Sequence, residues 1–105
     1  MSTKVQAAVV GATGYSGIEL MRLLARHPFM EVVNATSRQL AGKSVGDVYQ
    51  KLRGLLDGLV FTASDPAVLA SETNVDVFFL ALPHGVATKF ARPLFDAGKV
   101  VIDLS

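Results

Sequence analysis

Hydrophobic and polar positions along this chain switch between two periods. Lys4–Val10 is a short, Val-rich run that stops at Gly11, the pattern of a strand buried in a parallel sheet. From Tyr15 to His27 apolar residues recur at Ile18, Leu20, Met21, Leu23 and Leu24, while Glu19, Arg22 and Arg26 take the other face. That spacing predicts an amphipathic helix, which Pro28 cannot continue. Glu31–Thr36 predicts a second strand, and Ser37–Ser44 a polar loop containing Gly42. Val45–Leu56 follows neither period clearly and allows a short helix, and Leu59–Thr62 allows a short third strand. Ser64, Asp65 and Pro66 read as a helix start, a capping residue followed by a proline at the first helical position. Val75–Leu82 is rich in Val and Phe and bounded by Asn74 and Pro83, which predicts a fourth strand. His84–Ala97 carries Ala87, Phe90, Ala91 and Leu94 at helical spacing; Pro93 removes a bond to the Lys89 carbonyl and is expected to bend the helix. Gly98 then ends it in a left-handed turn, and Lys99–Leu104 predicts a fifth strand.

Strands alternating with helices imply an α/β fold, a parallel sheet with helices on both faces and the first strand central. In such sheets the ligand sits outside the carboxyl ends of the strands. Gly11, Ser37, Pro83 and Ser105 are therefore expected near one edge. The chain stops just where the fifth strand would hand over to its loop, so it reads as the first part of a longer protein.

Composition narrows the picture. The 105 residues suffice for one domain, 1–105, and the 18% charged residues, nine glycines and four prolines describe a globular chain. Such a chain buries about 60–70% of the surface that its unfolded form exposes. Ten basic and nine acidic residues are spread without a basic run, which argues against a nucleic-acid partner. No apolar stretch reaches 18 residues and the polar start at Met1–Lys4 lacks a signal-peptide pattern, so no membrane partner is expected and the reading is soluble and cytoplasmic. There is no cysteine, which removes disulfides, thiolate metal sites and a cysteine nucleophile from this chain; no metal site is expected.

The chemistry concentrates after the first strand. Gly11, Gly14 and Gly17 form G-x-x-G-x-x-G between a predicted strand and a predicted helix. The first glycine permits the tight turn, the second lets backbone approach a pyrophosphate, and the third lets helix and sheet pack closely. The free N–H groups of the first helical turn then face the phosphates, and Thr13 and Ser16 offer hydroxyls. Tyr15 reads as a packing or covering residue. This is the signature of a Rossmann-type doubly wound sheet, here cut after the fifth strand. A site that prefers NAD places an acid about 20 residues on, at the end of the second strand. Thr36, Ser37 and Arg38 stand there instead, and no acid lies between Glu31 and Asp47. Ser37 offers a hydrogen bond and Arg38 a planar cation to a 2′-phosphate, which favours NADP. A solvated loop arginine is the plainer alternative, and Lys43 a second candidate.

Four segments together carry a family resemblance. They are Val10-Gly-Ala-Thr-Gly-Tyr-Ser-Gly-Ile-Glu-Leu20, the Ala41–Lys43 loop, Phe79-Leu-Ala-Leu-Pro-His-Gly-Val-Ala87 and Val101–Ser105. In these the chain resembles the N-acetyl-gamma-glutamyl-phosphate reductases, relatives of aspartate-semialdehyde dehydrogenase. The resemblance runs from Lys4 to the last residue. It implies an enzyme about three times as long, in which a cysteine of a second domain attacks an acyl phosphate and a histidine there assists. NADPH then reduces the thioester to N-acetylglutamate semialdehyde in arginine biosynthesis. With no cysteine here, no catalytic residue carries over: the catalytic domain is expected outside this chain, and the chain alone is expected to be inactive. The resemblance further implies a small-molecule acyl-phosphate substrate and a homo-oligomer formed through the missing domain. Leu82, Pro83 and His84, with Ala81, are expected to line the ribose and nicotinamide side of the cofactor. For His84, a cap or packing role stands against a general-base role.

Two other readings share these residues. A carrier-linked acyl-phosphate reductase of lysine biosynthesis uses the same chemistry on another acyl group, and a stand-alone NADP-binding module uses none. A sugar-nucleotide epimerase or atypical short-chain reductase needs a Tyr-x-x-x-Lys pair. Tyr15 is followed by Glu19 and Tyr49 by Arg53, so that pair is missing.

Overall fold

The computed structural model describes residues 4–56 and 58–104, without the side chain of His84. Its strands are β1 (Val5–Val10), β2 (Met30–Ala35), β3 (Val77–Leu80) and β4 (Val100–Asp103). Its helices are α1 (Tyr15–Ala25), α2 (Val45–Val48), α3 (Pro66–Ala70) and α4 (His84–Asp96), with a 3₁₀ turn at Gln50–Leu52. Among the described residues the sheet has four strands, all parallel, in the order β2-β1-β3-β4. The first strand is central and β3 lies directly beside it, with Ala7 opposite Val77 and Val10 opposite Leu80. All strands therefore end on one edge.

The continuous apolar runs have a direct cause: β1 and β3 are covered on both faces. Ala7, Val9, Val77 and Phe79 point to one side, where Met21 and Leu24 of α1 and Leu52 and Phe61 from the loops complete a core. Ala8, Val10, Phe78 and Leu80 point to the other, against Leu69 of α3 and Ala87, Phe90 and Leu94 of α4. The alternation along each strand splits one apolar run between two cores. On the solvent side of α1, Arg22 and Glu19 pair at 2.9 Å, a surface ion pair of small consequence for stability.

The helix punctuation works as the residues suggest. Asp65 caps α3, its carboxylate accepting from the Ala67 N–H at 3.0 Å, with Pro66 at the first helical position. Helix α4 runs on through Pro93 to Asp96. It closes with the Gly98 N–H on the Phe95 carbonyl and the Lys99 N–H on the Leu94 carbonyl. That pair of bonds requires a left-handed residue, and Gly98 supplies it at φ +79°.

Two expectations need correction. Leu59–Thr62 is not a strand of the sheet, so the described sheet has four strands and not five. The segment makes two isolated bridges, Thr62 parallel to Thr36 and Val60 antiparallel to Ser44. Its backbone groups are divided between the end of β2, through Thr62, and the Gly42–Val45 stretch, through Phe61 and Leu59, so no ladder grows on either side. It nevertheless lies next to β2, where a third strand would stand. The fourth predicted strand is also shorter, Val77–Leu80. At its start the Asp76 carboxylate, not a backbone carbonyl, takes the Gln6 N–H at 2.8 Å; past its end the Ala81 N–H makes one more bond to β1, to the Val10 carbonyl at 2.9 Å, before the chain turns away.

Candidate dinucleotide site

The strand ends bring the three loops together. Gly11 follows β1, Thr36 follows β2 and Ala81 follows β3, and between them opens a cleft of about 270 Å³. Gly11, Thr13 and Gly14 form its floor, Ser37, Arg38, Gln39 and Ser64 one side, and Ala81, Leu82 and Pro83 the other. A second cleft, of about 360 Å³, lies at the opposite end of the sheet against Met30, Leu55 and Leu59. It has no helix start and no glycine loop.

The three glycines do different work. Gly11 has φ +79°, and a Cβ there would stand 2.5 Å from Leu82 Cδ2 and 2.8 Å from the Ala81 carbonyl oxygen. Turn geometry and packing both demand glycine. At Gly17 a Cβ would stand 2.6 Å from the Gly11 carbonyl oxygen and 2.8 Å from the Ala12 Cα, so α1 sits directly on the loop. Gly14 differs. Its φ of −77° suits any residue, and the nearest atom to an added Cβ is the Gly11 carbonyl oxygen at 3.9 Å. Among the described residues nothing requires a glycine there, and the face of the backbone is left open. Gly14 is also the N-cap of α1 and gives it no side-chain cap, so the first-turn N–H groups lack a partner within the helix. A bare cradle ending in helix N–H groups fits a pyrophosphate.

Hydroxyls lock the floor to the side. The Thr36 Oγ1 accepts from the Gly11 N–H at 3.1 Å and from the Ser64 hydroxyl at 2.8 Å. The Ser37 hydroxyl lies 3.3 Å from that of Thr13 and accepts from the Leu40 N–H at 3.0 Å. The Tyr49 hydroxyl donates to the Thr13 carbonyl at 3.3 Å. Arg38 is exposed beside them, and among the described residues no carboxylate pairs with its guanidinium.

Of the residues expected from sequence, Gly11, Thr13, Gly14, Ser37, Arg38, Leu82 and Pro83 line the cleft. Ser37 is 1% exposed, with its hydroxyl already engaged by Thr13 and Leu40, so its bonds within the protein organise the loop. Gly17 is buried beneath the loop, and Ser16 is exposed in the first turn of α1. Tyr15 is 85% exposed and faces a neighbouring groove with Glu19 and Tyr49. Lys43 is exposed and does not line the cleft. His84 begins α4; its side chain, like Ser105, lies outside the described part. Gln39 and Ser64 were not expected. The signal for Ser64 was a hydroxyl next to the capping Asp65, which sequence alone assigns to the helix start.

A parallel sheet with a helix launched from a glycine loop at its central strand defines a dinucleotide-binding α/β domain. The family model for the semialdehyde dehydrogenase NAD-binding domain matches residues 6–105, and the chain belongs to that family. It is 54% identical over 101 residues to the N-acetyl-gamma-glutamyl-phosphate reductase of Azotobacter vinelandii and 52% identical to that of Pseudomonas fluorescens. Each match covers 96% of this chain and 28% of the relative, so the chain spans less than a third of those proteins. Among solved structures it is similar to aspartate semialdehyde dehydrogenase with NADP from Candida albicans: TM-score 0.78 and 28% identity over 96% of this chain and 29% of that one. Apo scyllo-inositol dehydrogenase from Lactobacillus casei, at TM-score 0.71 and 19% identity over 98% of this chain and 28% of that one, shares the fold.

Proposed function

We propose that residues 1–105 are the NADP-binding part of a longer reductase that converts N-acetylglutamyl phosphate to N-acetylglutamate semialdehyde and phosphate. The observation that carries this reading is identity above 50% to reductases of that name over 101 residues, glycine loop included. The site fits the cofactor, since the open Cα of Gly14 and the uncapped start of α1 suit a pyrophosphate. Arg38 pairs with the 2′-phosphate: it is exposed at the rim of the cleft, and no acid stands in its place to accept a ribose diol. Ala81, Leu82 and Pro83, which line the cleft, would hold the ribose and nicotinamide side of the cofactor. Bound there, the reduced cofactor supplies the hydride.

The chain's own residues bind and orient; they do not attack the substrate. The resemblance to the reductases implies a cysteine as the group that displaces phosphate, and these 105 residues contain none. The test is a reductive assay of the intact protein that carries these residues. N-acetylglutamyl phosphate should support oxidation of NADPH with matching phosphate release, and aspartyl phosphate should not. Equal turnover of both, or none with the acetylated substrate, would overturn the assignment.

A further inference from the structure

Thr36 is wholly buried just past the end of β2 and is not among the residues lining the cleft, yet its polar atoms reach three separate segments. Its N–H donates to the Val9 carbonyl at 2.9 Å, and its carbonyl accepts from the Ala12 N–H at 2.8 Å. Its Oγ1 accepts from the Gly11 N–H at 3.1 Å and from the Ser64 hydroxyl at 2.8 Å. One hydroxyl oxygen thus holds the floor of the cleft and one of its sides, residues 53 positions apart in the chain.

We propose that the Thr36 hydroxyl is a positioning group for the cofactor, fixing the glycine loop and Ser64 as one unit. The inference rests on reading this cleft as the dinucleotide site. The path from Thr36 to the ligand has little slack. The Gly11 carbonyl oxygen is packed so closely on Gly17 that a Cβ there would approach it to 2.6 Å. A displacement of Gly11 therefore passes to the first turn of α1, whose N–H groups face the pyrophosphate. Removing the hydroxyl leaves two donors, the Gly11 N–H and the Ser64 O–H, without their acceptor. Each then turns to water or to another partner, and the cradle loosens. Thr36→Val keeps the shape of the side chain and removes only the acceptor. Thr36→Ser keeps the acceptor.

The experiment is a fluorescence titration of the intact protein with NADPH, each variant held well below its own melting temperature. Thr36→Val is expected to raise the Kd at least about tenfold, the equivalent of roughly 1.4 kcal/mol, while Thr36→Ser stays within about threefold of the parent. A purely structural threonine lowers the melting temperature and leaves the Kd alone. A Thr36→Val protein within about threefold of the parent would therefore overturn the proposal, whatever its melting temperature. Should Thr36→Val not fold, Thr36→Cys weakens the acceptor at similar size and is judged by the same threshold. A parent protein that does not bind NADPH fails differently: it overturns the dinucleotide reading, and the positioning role with it.

Discussion

Gly14→Ala and Gly17→Ala place the same methyl group three residues apart and should have opposite consequences. At Gly14 the backbone already lies at φ −77° and ψ 167°, which alanine adopts freely, and the new carbon meets nothing closer than 3.9 Å. Alanine is a poorer N-cap than glycine by about 0.5–1 kcal/mol. Stiffening of the unfolded chain returns about 0.4–1 kcal/mol. The two nearly cancel, so stability should change by less than about 0.5 kcal/mol and the melting temperature by less than about 4 °C. On the proposed reading of the cleft, the methyl group occupies the face of the backbone that the pyrophosphate approaches. Losing charged hydrogen bonds there costs about 1.5–3 kcal/mol, a rise in NADPH Kd of roughly ten- to 150-fold. At Gly17 the new carbon would lie 2.6 Å from the Gly11 carbonyl oxygen and 2.8 Å from the Ala12 Cα. Both are backbone atoms, so no flexible side chain can yield. Overpacking of this kind costs about 3 kcal/mol, at the upper end of its usual range, and should lower the melting temperature by more than about 10 °C. Thermal unfolding followed by circular dichroism reads the first quantity and NADPH titration the second. A Gly14→Ala protein that binds NADPH as the parent does would refute the assignment of that glycine to the ligand. One as unstable as Gly17→Ala would refute the geometry of the loop.

Arg38→Ala should weaken NADPH by about 1.5–3 kcal/mol and leave NADH nearly unchanged, because only the former offers a 2′-phosphate to the guanidinium; equal losses in the two titrations would remove Arg38 from that role. The 105-residue chain by itself should show no turnover of N-acetylglutamyl phosphate with NADPH, and sustained phosphate release coupled to cofactor oxidation would disprove this. The same chain should self-associate through β4, which pairs only with β3 among the described residues and exposes 58% of Val100 together with Ile102 and Leu104. Sedimentation should detect this and Val100→Lys should reduce it; a monodisperse, cooperatively folding monomer at high concentration would count against an adhesive edge.

The sequence by itself determined the elements whose signals are local. The glycine spacing, the period of α1, the Asp65–Pro66 helix start and the Gly98 stop each act within a few residues, so pattern and structure agree there. The order of the sheet was also within reach, because right-handed crossovers leave few ways to pair short parallel strands. The cleft was legible as far as it is built from strand ends, since the residue after each parallel strand must arrive at the same edge. Only the tertiary structure decided which polar groups meet there. Thr36 reaches Gly11 across 25 residues and Ser64 across 28, and Tyr49 reaches Thr13 across 36. No local period records such a contact. The fate of Leu59–Thr62 was settled in the same way: its apolar side chains suit a strand, but its backbone groups are shared between β2 and the Gly42–Val45 stretch. Side-chain pattern reports which face of a segment is buried. It does not report which neighbour takes each N–H and carbonyl, and in this protein that choice shapes the cofactor cradle.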